Sequence, residues 1–168
     1  MINKLFLFLI LLGHLNANII NEYKNNNFNK ICNFKNINKT KNEKLLSLIG
    51  ISCVKTDNLY LLPYIISKLK HTKSARQNAI YLDTIYMQKR LLYAYFFDKF
   101  SLKGFDLPNT NYIISIIFNK IKNGQYKKQG DAISIDLKKE TIKVYPQKNK
   151  LIVDEYYKNN LIKRHWFR

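Results

Sequence analysis

From Ile19 to about Lys127, apolar residues recur three and four positions apart, the spacing of an α-helix with a buried side. Asn- and Lys-rich breaks at Asn36–Asn42 and Lys70–Ser74, and the stretch Gly104–Asn109 containing Pro108, punctuate the pattern. A first helix is predicted from Ile20 through Phe28, Ile31 and Cys32 to Phe34. A second runs from about Asn42 to Val54, with Leu45, Leu48, Ile49 and Ser52 or Cys53 on one side. Asp57 is placed to cap a third, Asn58 to Leu69, which Pro63 should bend or delay because a helix interior tolerates proline poorly. Ser74 reads as the N-cap of the fourth, Ala75 to Phe100. Tyr81, Ile85, Leu92 and Phe96 mark one side of it and Leu82, Tyr86, Tyr93 and Phe97 another, which predicts a helix buried centrally among others. A fifth runs from Asn109 or Thr110 to Ile121 and ends near Asn123-Gly124, a good C-terminal signal.

After Gly130 the period becomes two. Ile133, Ile135 and Leu137 alternate with Ser134 and Asp136; Ile142 and Val144 flank Lys143; Leu151, Val153 and Glu155 alternate with Ile152, Asp154 and Tyr156. A last strand is predicted from Leu161 to Phe167. The connections Lys138–Glu140, Pro146–Asn149 and Lys158-Asn159-Asn160 are short, so consecutive strands should pair antiparallel. The expected fold is α+β: about five helices in helical-hairpin, tetratricopeptide-like packing, then an antiparallel meander of three to four strands. The expected organisation is a signal peptide over 1–17, a helical section over 18–128, and a sheet over 129–168 packed on the helices. Glu155-Tyr156-Tyr157-Lys158-Asn159-Asn160-Leu161 resembles a single hairpin of the kind repeated in MORN-type proteins, without the usual Gly after Asn. The resemblance implies a hairpin there. Glu22-Tyr23-Lys24 through Cys32 resembles the start of a tetratricopeptide-type helix, with no fixed repeat period following it.

The opening residues bear on the address. Met1 to Lys4 is short and positively charged, and Leu5 to Leu12 is an unbroken apolar run continuing through Gly13 to Leu15. That is short of the roughly 20 apolar residues a bilayer span needs. Leu15-Asn16-Ala17 has the small final residue of a secretory cleavage site, so cleavage is expected after Ala17, with Asn18 first in the mature chain. The expected location is the periplasm, with no transmembrane anchor left after cleavage. Cys32 and Cys53 are the only 2 cysteines, and in an oxidising compartment they read as one disulfide. Closing a loop of about 20 residues should stabilise the domain by roughly 3 kcal/mol on the chain-entropy account.

Composition changes the picture through charge. In 168 residues, 29 Lys and Arg stand against 11 Asp and Glu, a formal +18, while 46% of positions are hydrophobic, enough for a folded core. A cationic surface favours acidic partners, although Lys, Asn and Ile share AT-rich codons, so base composition is a second source of the charge. Basic residues interleave with aromatics at Lys120–Lys128 around Tyr126 and at Lys163-Arg164-His165-Trp166-Phe167-Arg168. Nucleic-acid binders use that mixture, but an exported chain meets lipids, envelope polymers and acidic proteins instead, so no nucleic-acid partner is expected. Lys127, Lys128, Lys163, Arg164, Trp166 and Arg168 are the candidate partner-binding residues. In the last strand, Arg164, Trp166 and Arg168 should share one face, and Lys163, His165 and Phe167 the other.

Signals for catalysis are weak. The phosphate-loop, dinucleotide, zinc-hydrolase and nucleophile-elbow motifs are all missing from the sequence. His14 falls in the predicted signal, and His71 and His165 lie far apart, in a loop and a strand. Asp154 and Glu155 point to opposite faces, as do Asp131 and Asp136, and Asp83 lies two helical turns before Arg90. No cofactor, metal site or catalytic residue is expected. The leading expectation is a non-enzymatic interaction or adaptor protein of a Gram-negative-like envelope, binding an envelope protein or an anionic envelope surface. A small cationic hydrolase using His71 or His165 on a polyanionic substrate, and a peripheral binder of anionic membrane, are the alternatives.

Overall fold

The computed structural model describes residues 18–168, so the expected signal peptide and its cleavage position lie outside the described residues. The described chain is α+β: about seven helices followed by a five-stranded antiparallel sheet. Among the described residues, no helix is long and apolar enough to cross a membrane. The chain forms two compact units, one ending at Leu82 and one beginning at Asp83, so the division falls inside the long fourth helix foreseen from the pattern.

The first unit shows why the predicted opening helix breaks. Residues 18–24 form α1, and α2 is only Phe28–Ile31, because Asn26 takes the left-handed conformation at φ 58°, which Asn tolerates better than most side chains. The stretch resembling a tetratricopeptide helix is thus two short helices. Asn33 then caps α3 (Phe34–Lys39) by accepting the Asn36 N–H at 2.9 Å. Asn42 caps α4 (Glu43–Lys55), accepting from the N–H groups of Lys44 and Leu45. Asp57, at φ 60°, closes α4 instead of capping the next helix, and the Asn58 N–H reaches back to the Cys53 carbonyl at 2.9 Å. A 3₁₀ turn, Leu59–Leu61, leads into α5 (Leu62–Ile66), where Pro63 lies in the first turn and its missing N–H leaves no helical bond unmade.

Cys32 and Cys53 are joined in a disulfide with Cα atoms 5.0 Å apart. It ties the end of α2 to the last turns of α4, with α3 lying between them in sequence. Ile31, Ile37, Leu46, Ile49, Leu61, Leu62 and Ile65 are fully buried in this unit, each worth roughly 1.5–3 kcal/mol of burial. Gly50 marks a close approach: a Cβ there would lie 2.5 Å from Cδ1 of Leu82 in α6 (Lys73–Asp98).

α6 enters through a loop held by one carboxylate. Glu43 accepts from the main-chain N–H groups of Lys70 and His71 at 2.6 Å each and of Thr72 at 2.8 Å. The hydroxyl of Thr72, not that of Ser74, accepts the Ala75 N–H and caps the helix. The helix is also less enclosed than its pattern suggests. Ile80, Asp83, Met87 and Arg90 form an exposed stripe, whereas the polar Gln88 and Lys89 are buried.

In the second unit, Lys99 at φ 56° ends α6, with the Phe100 N–H bonded back to the Ala94 carbonyl at 3.2 Å. The buried Gln88 amide donates to the Pro108 carbonyl at 3.0 Å and accepts from Ser115 Oγ at 2.5 Å, fixing the loop before α7 (Ile113–Lys122). α7 buries Ile114, Ile117, Phe118 and Ile121 on one side and stops at Gly124, φ 68°.

The sheet runs in order β1 (Lys127–Gln129), β2 (Ala132–Asp136), β3 (Glu140–Gln147), β4 (Lys150–Tyr157) and β5 (Asn160–Phe167). β1 is the strand the sequence pattern lacks, because three polar residues show no alternation; residues 127 and 128 belong to the sheet and not to the helical tail. The inner face carries Ile133, Ile135, Ile142, Val144, Leu151, Val153 and Phe167, all buried. Tyr112, just before α7, stands edge-on to Phe167, and Tyr93 of α6 donates to the Asn149 carbonyl. The β4–β5 hairpin turns on Lys158 and Asn159 at φ 47° and 66°, the conformation that two-residue hairpins require. Pro146 is in β3 and not in the turn, at a point beyond the last β2 pair, where a strand with one partner accommodates a residue lacking N–H.

His71, Thr72 and Lys70 main-chain donors, the His71 N–H foremost, hold the Glu43 carboxyl at about 2, below its ordinary value of 4.5. A carboxyl depressed on folding adds stability that is present above pH about 4.5 and lost as pH falls toward 2. Glu43→Ala should therefore lower Tm at pH 7, and the deficit should close as the pH approaches 2. Thermal melts of both proteins from pH 7 to 2 measure it; a deficit independent of pH would contradict this role for Glu43.

Candidate functional site

Strand alternation places a second set of side chains on the outer face of the sheet, and antiparallel register aligns them in rows. One row across all five strands is Lys127, Ser134, Lys143, Asp154 and Arg164. The next joins Tyr145, Ile152 and Trp166, and another joins Asp136, Thr141, Tyr156 and Leu161. The face is thus a sheet of cations and rings around a single central carboxylate.

That carboxylate, Asp154, is 1% exposed. A buried carboxylate needs partners on both oxygens. Arg164 supplies a two-pronged contact, Nε to Oδ1 at 2.6 Å and Nη2 to Oδ2 at 2.8 Å. Tyr145 Oη donates to Oδ2 at 3.0 Å, and Tyr156 Oη lies 3.5 Å from the same oxygen. Arg164 Nη2 also donates to Tyr145 Oη at 3.3 Å, which closes a ring of contacts. The hydrogen bonds from Arg164 hold the Asp154 carboxyl below its ordinary range against the opposing effect of burial. Burial, with Asp154 second, pushes the Tyr145 phenol up, so it remains a donor.

Cations and aromatic rings complete the face. Lys150 Nζ sits 4.4 Å from the Trp166 ring centroid and Lys143 Nζ 5.0 Å from that of Tyr156. Trp166 is 46% exposed, an unusual position for an indole. Lys127 pairs with Asp136 at 2.7 Å at the far edge, which raises the pKa of the lysine and lowers that of the aspartate. β5, eight residues long, forms the last strand of the sheet and exposes Leu161 and Ile162, the latter at a register shift opposite Glu155 and Tyr156.

The six residues singled out from the sequence do not form one patch. Lys127, Arg164 and Trp166 share the outer face. Lys128 is in the other set and lines a cavity of about 320 Å³ with Tyr95, Phe96, Lys99, Asp131 and Ile133. Lys163 stands opposite Glu155 and is exposed. Arg168, past the last paired residue, lines a groove along α6. The sequence pattern does not single out Lys143, Tyr145, Lys150, Asp154 and Tyr156, because their membership depends on which strands are neighbours. The available signal was the period-two alternation of β3 and β4, which puts Lys143, Tyr145, Asp154 and Tyr156 on one side of each strand.

The two histidines of the hydrolase alternative stand in different surroundings, His71 exposed and His165 buried. The main-chain N–H of His71 is held by Glu43. His165 is 1% exposed, with Nε2 2.7 Å from Glu155 Oε1 and its ring stacked on Phe167. Among the described residues, no three of His, Cys, Asp and Glu come together where they could hold a metal ion. No known protein family, curated protein or solved structure matches the chain.

Arg164→Met leaves the buried Asp154 carboxylate with its tyrosine partners alone. Because Arg164 depresses the Asp154 pKa, its contribution is present above pH about 4 and fades as the carboxyl protonates at lower pH. The variant should melt below the wild type at pH 7 and approach it by pH 2 to 3. Melting curves across that range test this; an equal Tm at pH 7 would show that Asp154 does not depend on Arg164.

Proposed function

We propose that the protein is an exported, non-enzymatic interaction or adaptor protein of the cell envelope, and that the outer face of its sheet binds an acidic protein partner. The observation that carries this reading is the exposed outer face itself. Trp166, Lys150, Lys143, Tyr156 and Arg164 stand there as alternating rings and cations on a rigid support. Exposed Trp, Tyr and Arg are the side chains that most often anchor protein interfaces, and here their positions are set by strand register and by the Asp154 contacts.

Charge selects the class of partner. With a formal +18, the chain attracts acidic surfaces at long range, and the rings supply the desolvated contact that gives affinity at short range. The exposed edge of β5 adds main-chain donors and acceptors with which an extended acidic segment could pair. Export rests on the charged and apolar opening followed by Leu15-Asn16-Ala17, and the Cys32–Cys53 disulfide supports it, since such bonds persist in oxidising compartments.

The full chain, tagged at its C-terminus and expressed in its native host, should be recovered with Asn18 as its first residue. It should be crosslinked in intact cells to one recurrent acidic envelope protein. Trp166→Ala should reduce that capture by at least about tenfold, as loss of an interface anchor does, while Lys103→Gln, an exposed change in the loop after α6, should leave it within about twofold, as a change away from a contact does. Capture should weaken as salt is raised, because the long-range attraction is screened. An intact Met1 with cytosolic partners, or capture indifferent to Trp166, would overturn the reading.

A further inference from the structure

The second half of α6 carries a cationic groove that the outer sheet face does not involve. Tyr86, Lys89, Arg90 and Tyr93 follow the three-and-four spacing of one helix side and, with Arg168 and Asp98, line a groove of about 320 Å³. Lys89, Arg90 and Arg168 thus border one space with the side-chain carboxylate of Asp98. Asp98 is exposed and makes no ion pair with any of the three among the described residues.

Lys89 is the decisive side chain. It is only 7% exposed, yet its ammonium makes no ion pair and no hydrogen bond among the described residues. It lies over the rings of Tyr86 and Tyr93, with centroids 6.0 and 5.8 Å from Nζ. Arg90 lies over the same Tyr86 ring at 6.0 Å. Burial, and secondarily the neighbouring Arg90 charge, lower the Lys89 pKa. Lysines are almost never this buried without a paired anion. Lys89 is thus a nearly buried cation beside a second cation, on the wall of a groove.

We propose that this groove binds a phosphate-bearing ligand whose oxyanion pairs with Lys89, Arg90 and Arg168. Phosphate fits the donor set: lysine acts as a point charge and each guanidinium fork donates to two oxygens side by side. The groove volume lies at the small end of ligand pockets, about 300–1,000 Å³, so a compact phosphoester or inorganic phosphate is the size it suits.

The test uses the full mature chain and inorganic phosphate, with chloride balancing ionic strength throughout. Phosphate should raise Tm in a saturable manner, as a ligand of the folded state does. Lys89→Met should weaken the apparent affinity by about tenfold or more, the effect of removing one charged hydrogen bond. Without phosphate the variant should melt at or above the wild type, because an uncompensated buried charge is gone. Arg168→Gln, an exposed change that leaves the helix intact, should weaken phosphate binding several-fold and keeps the test decisive if Lys89→Met does not fold. Lys103→Gln controls for diffuse charge and should change affinity less than about twofold. Vesicles containing phosphatidate that compete with inorganic phosphate would assign the ligand to a lipid headgroup, and vesicles that do not compete would assign it to a soluble phosphoester. A Tm response absent in the wild type, or equal in wild type, Lys89→Met and Arg168→Gln, would overturn the proposal.

Discussion

A carboxylate buried in a sheet face must be met by donors or it will not stay ionised, and Asp154 imposes that condition on the three strands around it. Arg164 of β5 and Tyr145 of β3 approach it from opposite sides, with Tyr156 two residues along its own strand. The register that satisfies Asp154 is the register that buries Val144, Val153 and Ile142 on the inner face, since a one-residue slip would exchange the two faces. One polar cluster and one apolar layer thus specify the same pairing. The outer face holds its rings and cations in place as a consequence, and side chains that are already ordered lose less entropy when a partner arrives.

Much of the fold was readable because periodicity reports burial directly. The change from a three-to-four spacing to a spacing of two after Gly130 marks where helices give way to strands, and Ile133, Ile135, Ile142, Val144 and Val153 fall on the buried face that their alternation indicates. The disulfide was readable from an even count of two cysteines in a chain expected to meet an oxidising compartment. Helix ends were harder. With 5 glycines in the chain, left-handed positions are taken by Asn26, Asp57 and Lys99, residues that in sequence look equally like solvated loop, cap or helix. That is why one predicted helix became two and why Asp57 finished a helix instead of starting one.

The candidate surface was legible only in part, for a different reason. Arg164 and Trp166 announce themselves as a basic and aromatic pair on one strand, but Lys143, Tyr145 and Asp154 join them only through neighbouring strands. Arg168 and Lys128 look like members of the same cluster in sequence and line separate hollows in space. Lys89 is invisible to a hydrophobic pattern, which treats a charged residue on a helix as solvent-facing, whereas the stripe that faces solvent is Ile80, Asp83, Met87 and Arg90. Polar residues placed against the pattern, Asp154 on the sheet and Lys89 and Gln88 on α6, are where structure adds most to the reading.

The outer sheet face is proposed as the surface that meets a partner. A photo-crosslinking residue placed at Ser134, a half-exposed position in the outer-face row beside Lys143, and in a separate protein at Lys103, addresses it while leaving Trp166 in place. The expected result is a recurrent acidic protein crosslinked from position 134 in intact cells and not from position 103. The same crosslinks from both positions, or from 103 alone, would contradict it.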